Sequence, residues 1–392
     1  MPACPVCWPA APTVPHHPCH TPPLLTLPPY NTEMASMWKQ MCDMAGLMRL
    51  SIGSNRCSVP GVVRSLHLSI TQTTPSKDLN KPLTSNEMAR PGGITSFMRL
   101  PVHTDTRDLD ACFVGVPLDV GTSNRSGTRM GPRQIRSESV LLRPYNSATG
   151  ACPYDFLNVA DVGDVWINMY NLPEACVNIR EYYMQLLSTN CIPLTIGGDH
   201  TITYPILQAF KARRGKVGLV HVDAHSDVSD TMLGAKINHG TPFRRAVEEE
   251  LIDPHATVQI GLRGTSHSPE PNAWQLSQGF RVVTAEECWY KSLVPLMEEV
   301  RAMMGDRPVY LSFDIDAIDP GFCPGTGTPE IGGLTPIQAL EIVRGCRGLN
   351  LVGCDLVEVS PPYDFEGTTA LTGANLLFEM LCALPGVTTK KC

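Results

Sequence analysis

Residues 217–227 read VGLVHVDAHSD. An apolar, β-branched run ends here in three side chains of metal-ligand type, Asp223, His225 and Asp227. A run this continuously apolar fits a strand inside a parallel sheet that is covered on both faces. Side chains alternate along an extended chain, so Asp223, His225 and Asp227 are expected to point the same way. His221 shares their parity but lies deeper and reads as a satisfied core histidine.

Runs of the same character recur at ACFVGV (111–116), FLNVA (156–160), IPLTI (192–196), TVQIGL (257–262), FRVVT (280–284), PVYLSFD (308–314) and LVGCDLVEV (351–359). Helix-like stretches alternate with them: 173–188, 201–214, 292–304 and 335–346. Eight strands alternating with helices predict a three-layer α/β/α fold with a mostly parallel eight-stranded sheet. In such folds ligands bind at the carboxyl ends of the strands. Three ends stand out: IPLTIGGDH closes on Asp199 and His200, the opening stretch on Asp223, His225 and Asp227, and VYLSFDIDAIDP on Asp314, Asp316 and Asp319. Alternation also places Asp314 and Asp316 on one side. So many carboxylates at the buried ends of apolar strands repel one another unless cations sit among them. His200, Asp223, His225, Asp227, Asp314 and Asp316 can hold two divalent ions if a carboxylate bridges them. Carboxylate and imidazole donors without a thiolate favour Mn²⁺ over the sulfur-rich sites that zinc often takes. Asp199 and Asp319 are expected to orient loops.

These residues carry a resemblance. GGDHT (197–201), DAHSD (223–227) and SFDIDAIDP (312–320) resemble, in order, the three signatures of the ureohydrolase (arginase/agmatinase) family, and the likeness runs from about residue 97 to 388. It implies the arginase/deacetylase-like fold, homotrimers or homohexamers, and two Mn²⁺ per chain. His200, Asp223, Asp227 and Asp314 would hold one ion. Asp223, His225, Asp314 and Asp316 would hold the other, with Asp223 and Asp314 bridging. It also implies hydrolysis of a linear guanidino compound to urea and an amine. A guanidinium carbon is a poor electrophile, and two divalent ions acidify water enough to attack it near neutral pH. By the same likeness Glu358 would bind the guanidinium, Asp227 would relay a proton to the leaving nitrogen, and His239 would exchange protons with solvent. The serine-glycine-asparagine run that grips an α-amino acid head is replaced by LGAKINHG (233–240), which sets arginine aside as substrate. Agmatine (giving putrescine) and guanidino acids such as 4-guanidinobutanoate remain. Asn124, Arg125 and Asn168 are the candidate readers of the substrate's tail, and an arginine there favours a carboxylate. The rival reading is a catalytically weak regulatory or scaffold relative, but such a protein usually loses ligands and none of the six is missing.

Composition narrows the partners. A net charge of −7 gives no nucleic acid or anionic membrane a counter-surface, and there is no apolar run long enough for a membrane span. Residues 1–47 read as a Pro-rich disordered extension, with ten prolines in the first 32 residues. Its Cys4 and Cys7 form a lone C-x-x-C without a second pair, a weak zinc signal. From Met48 the chain turns basic, serine-rich and free of acidic residues as far as Lys77. Residues 48–90 therefore read as a transit peptide and linker directed to the mitochondrial matrix. Residues 91–392 read as the catalytic domain. Its cysteines sit mostly in apolar runs and read as buried thiols.

Overall fold

The computed structural model describes residues 79–389. The Pro-rich extension with its C-x-x-C, and residues 48–78 of the targeting and linker segment, lie outside the described residues. Eight strands, β1 (Ala111–Gly115), β2 (Val159–Asp164), β3 (Ile192–Ile196), β4 (Val217–Val222), β5 (Ile252–Leu262), β6 (Arg281–Thr284), β7 (Pro308–Asp314) and β8 (Asn350–Val357), form one sheet in the order β2-β1-β3-β8-β7-β4-β5-β6. Every pairing is parallel.

Alternation sorts the strand residues into two cores. Phe113, Ile196, Val220 and Val222 face the helices Val294–Met304, Pro336–Gly345 and Thr368–Ala383, while Cys112, Val114, Val217 and Leu219 face Leu172–Leu186, Thr203–Arg214 and Pro242–Glu248. The α/β/α layering expected from sequence is the observed one. All eight expected strands are present. FLNVA is shifted, because Asn158 is spent before the strand begins: its N–H donates to Asp110 Oδ2 and its Nδ2 to the Asp108 carbonyl. Among the described residues no helix is long and apolar enough to cross a membrane. Eight of the nine described cysteines are buried, Cys152 is half-buried, and all nine are free thiols.

The sheet order matters for function. β3, β8, β7 and β4 are consecutive neighbours in its middle, and Ile196 pairs with Leu356, Val357 with Asp314, and Phe313 with Val222. Their carboxyl ends therefore finish level with one another. Gly198 makes this possible after β3: a Cβ there would lie 1.9 Å from the Leu118 carbonyl oxygen. Without a side chain the loop presses inward, and the Gly198 carbonyl accepts the Glu358 N–H at 2.9 Å.

Candidate metal centre

The four level strand ends deliver His200, Glu358, Asp314 and Asp223 to one place. His200 Nδ1 lies 3.2 Å from Asp223 Oδ2, 3.1 Å from Asp227 Oδ2 and 3.2 Å from Asp314 Oδ2. On its other side, Nε2 lies 2.8 Å from Ser312 Oγ, whose only hydrogen goes to Asp355 Oδ1 at 2.7 Å. The serine oxygen must therefore accept, and Nε2 carries the ring proton. Nδ1 is left with a lone pair, buried, with no hydrogen bond, facing three carboxylate oxygens. That arrangement needs a cation. Burial opposes a second proton there, but the three carboxylates push the His200 pKa well above the usual histidine range.

A second cluster adjoins the first. His225 Nδ1 lies 3.0 Å from Asp316 Oδ2 and 3.5 Å from Asp223 Oδ1. The three ligand atoms of Asp223, His225 and Asp316 all lie within 4.8 Å of one another. Asp223 thus offers one oxygen to each cluster. Asp314 shows Oδ2 to the first, while its Oδ1 accepts the Asp316 N–H at 2.9 Å. Burial alone would raise the Asp223 pKa, yet His221, His200 and His225 hold it well below the usual carboxylate range. Asp314 goes the other way: burial and the charges of Asp316 and Asp223 push it well up.

The local reason for convergence differs from the one expected. Asp223, His225 and Asp227 do not alternate along an extended chain. β4 stops at Val222, and Asp227 sits in the left-handed region at φ 52°. Asp316 lies in a 3₁₀ turn, Ile315–Ala317, capped by Asp314. These bends bring seven donor atoms of six residues into the two clusters. His221 also lies beside His200 and Asp223, close enough to be counted with them as a ligand trio. Its hydrogen bonds exclude that role. Gln259 Nε2 donates to His221 Nδ1 at 2.9 Å and to the Ser226 carbonyl at 2.7 Å, so Nε2 holds the proton and gives it to Asp223 Oδ2 at 2.8 Å. Both nitrogens are in use, as expected for a core histidine. Asp199 and Asp319 orient loops, accepting N–H groups of Gly121 and Thr201, and of Gly321, Gly332 and Gly333.

Glu358 follows β8 at φ 64° and is buried. A left-handed non-glycine residue costs about 1–3 kcal/mol and persists only where its surroundings hold it. Here Oε1 accepts the His200 N–H at 2.9 Å and lies 3.3 Å from His239 Nδ1. Oε2 is buried and has no partner. His239 Nε2 accepts the Ser123 N–H at 3.1 Å, which places the neutral ring's proton on Nδ1, towards Glu358. Burial resists a second proton, but Glu358 raises the His239 pKa to about 9. The Ser123 amide, which needs a lone pair on Nε2, opposes that second proton.

The clusters open into a cleft of about 630 Å³ lined by Ser123, His225, Asp227, His239, Asp314 and Thr328, among others. Asn124, Arg125 and Asn168 do not line it. Asn124 Nδ2 donates to the Gly327 carbonyl. Asn168 is spent at a helix start, donating to Glu174 Oε2 and accepting the Tyr170 N–H. Arg125 is exposed next to Ser123, its guanidinium 5.1 Å from the Tyr363 ring centre. Sequence reasoning missed Ser312, Asp355 and Gln259: all three lie inside strands, and even Ser312, two residues before Asp314, reads there as part of the strand.

Two adjoining clusters of oxygen and imidazole donors at the carboxyl edge of an α/β/α sheet define a binuclear metal hydrolase centre. Comparison with known proteins agrees. The arginase family matches residues 109–382. The mitochondrial agmatinase of Gallus gallus is 66% identical over 310 residues, 79% of this chain and 91% of that protein. The guanidinobutyrase of Pseudomonas aeruginosa is 65% identical over 314 residues, 79% of this chain and 98% of that protein. The structure of proclavaminate amidino hydrolase from Streptomyces clavuligerus superimposes with a TM-score of 0.71 at 40% identity, covering 75% of this chain and 99% of that one. The chain belongs to the arginase family, a family of binuclear metal enzymes, and is a ureohydrolase.

Proposed function

We propose that this enzyme uses two Mn²⁺ to hydrolyse a guanidino acid of the 4-guanidinobutanoate type, releasing urea and the amino acid. The bare His200 Nδ1 facing three carboxylate oxygens is the observation that carries the metal half. The donors fit a hard ion, and none of the described cysteines lines the cleft. His200, Asp223, Asp227 and Asp314 would hold one ion, and Asp223, His225, Asp314 and Asp316 the other. A divalent pair supplies a nucleophile at neutral pH by acidifying water.

The chain's own groups do the rest. Glu358 Oε2, buried and without a donor, is completed by a guanidinium N–H. Asp227 lies between cleft and cluster, placed to pass a proton to the leaving nitrogen. His239 joins Glu358 to the cleft wall and exchanges protons with solvent.

The tail reading rests on charge. Ser123 lines the cleft, and Arg125 and Arg129 follow it in the chain before the helix Gly131–Glu138. Arg129 is neutralised by Asp119. Arg125 has no carboxylate partner among the described residues and leans on an aromatic ring, so its charge is available to a substrate carboxylate. The 65% identity to a guanidinobutyrase supports the same substrate, while agmatine keeps the support of the chicken relative. Urea release from both compounds, on one Mn²⁺-loaded preparation, decides between them. Arg125→Ala is expected to lower kcat/KM for 4-guanidinobutanoate about tenfold or more, the value of a charge-assisted bond, and to leave agmatine unchanged. Equal loss on both removes Arg125 from tail recognition.

The chicken relative is a mitochondrial protein by name. Residues 48–90 are proposed to direct this chain to the matrix. A mature N-terminus beyond Met48, sequenced from isolated mitochondria, is expected; an intact Met1 overturns it. A homotrimer or homohexamer is proposed for the assembly, to be read by light scattering.

A further inference from the structure

One level below the metal-facing side chains, a row of polar residues crosses the sheet. Thr195 of β3 pairs in register with Asp355 of β8, Asp355 with Ser312 of β7, Ser312 with His221 of β4, and His221 with Gln259 of β5. All five are fully buried. Polar groups in such a place are costly unless each is bonded. Asp355 is the most demanding of them. Its Oδ1 accepts from Ser312 Oγ at 2.7 Å, and its Oδ2 from Thr203 Oγ1 at 2.7 Å and Tyr310 OH at 2.9 Å. No Lys, Arg or His forms an ion pair with it among the described residues. Packing alone gives no reason for a carboxylate there; an apolar side chain or an amide would fill the space.

Hydrogen-bond direction gives the reason. A carboxylate accepts and does not donate, so the Ser312 hydrogen must turn towards Asp355. The Ser312 oxygen then has only lone pairs to offer His200 Nε2, at 2.8 Å. Nε2 must hold the ring proton, and Nδ1 is bare. Each step runs one way, and the chain ends at the lone pair that faces Asp223, Asp227 and Asp314. We propose that Asp355 is a positioning residue: acting through Ser312, it locks His200 in the tautomer that can ligate a metal ion.

An amide at this position would undo the lock. Its NH₂ can donate to Ser312 Oγ, which frees the serine hydrogen to point at His200 Nε2. The ring proton then moves to Nδ1, where a cation should sit. The inference rests on the two-ion reading, and the experiment keeps the two apart. Mn²⁺ alone is titrated calorimetrically into the metal-free parent, Asp355→Asn and Tyr310→Phe, and ions retained per chain are counted after gel filtration. The parent is expected to hold two ions; fewer than two sinks the two-ion reading whatever the variants do. Asp355→Asn is expected to keep one ion at parental affinity and to bind the other ~10–100-fold more weakly, the usual effect of losing an outer hydrogen-bond partner of a ligand. Tyr310→Phe removes another donor to the same carboxylate without touching the Ser312–His200 contact, and is expected to keep both ions. Two ions at parental affinity in Asp355→Asn, or equal losses in both variants, overturns the proposal. If Asp355→Asn does not fold, Ser312→Ala takes its place with the same expectation and the same overturning result.

Discussion

Asp223→Asn is expected to disable both metal positions in one step. Its two oxygens face different clusters: Oδ2 lies 3.2 Å from His200 Nδ1, and Oδ1 lies 3.5 Å from His225 Nδ1. An amide keeps the size but removes the charge and turns one acceptor into a donor. Retained Mn²⁺ should fall from two ions per chain to below one. Turnover should fall by well over the ~10–100-fold that follows loss of an outer partner. Asp316→Asn is the measured contrast. It removes a single oxygen from the His225 side and should leave the His200 side occupied. The same cluster fixes the pH dependence of metal uptake. Carboxylates raise the pKa of His200 and of His225 against the pull of burial, and burial with like charge raises Asp314. These groups hold their protons more tightly than free side chains do, and an ion must displace them. Mn²⁺ uptake should release protons, and affinity should weaken as pH falls. A pH-indicator dye in weak buffer reads the release. Uptake without release, or an Asp223→Asn chain that still holds two ions, would contradict this account of the centre.

The converging donors were legible in the sequence because polar residues at the ends of apolar strands have few other uses. His200, Asp223, Asp227 and Asp314 were each visible within about ten residues of their own strand. The manner of their convergence was not. Alternation pointed to a straight edge, whereas Asp227 reaches His200 through a left-handed turn and Asp316 through a 3₁₀ turn. Those bends answer to ligand atoms on other strands, which local periodicity cannot see. The same limit hides Asp355 and Ser312. Either residue alone in its strand reads as a polar interruption, and only the β7–β8 register sets them side by side. The helix Thr368–Ala383 is buried nearly all round, so it has no polar face to give a helical period. The residues named from sequence as readers of the substrate's tail divide. Arg125 keeps an unspent charge, while Asn168 is consumed by the turn that starts its own helix.

Glu358→Gln separates the guanidinium site from the metal site. Glu358 belongs to neither cluster, but it touches the backbone of a ligand: its Oε1 accepts the His200 N–H at 2.9 Å. A glutamine oxygen can keep that bond, so the variant should retain both ions and the parental fold. What it loses is charge, together with an acceptor at Oε2, the atom that has no partner in the protein. An NH₂ in that place would face the N–H groups of a guanidinium, donor against donor. Removing one side of a buried, hydrogen-bonded charge pair costs about 2–5 kcal/mol. At 1.36 kcal/mol per tenfold, kcat/KM should fall by roughly 30- to 5000-fold. The fall should be the same for agmatine and 4-guanidinobutanoate, because the two share the guanidinium and differ only at the tail. Arg125→Ala should show the opposite pattern, selective for the acid. A Glu358→Gln enzyme that loses metal in parallel with activity would make Glu358 a support for His200 and not a substrate contact. A loss confined to one substrate would place it at the tail. Equal loss on both substrates with two ions retained is the result that assigns the buried Oε2 to the guanidinium.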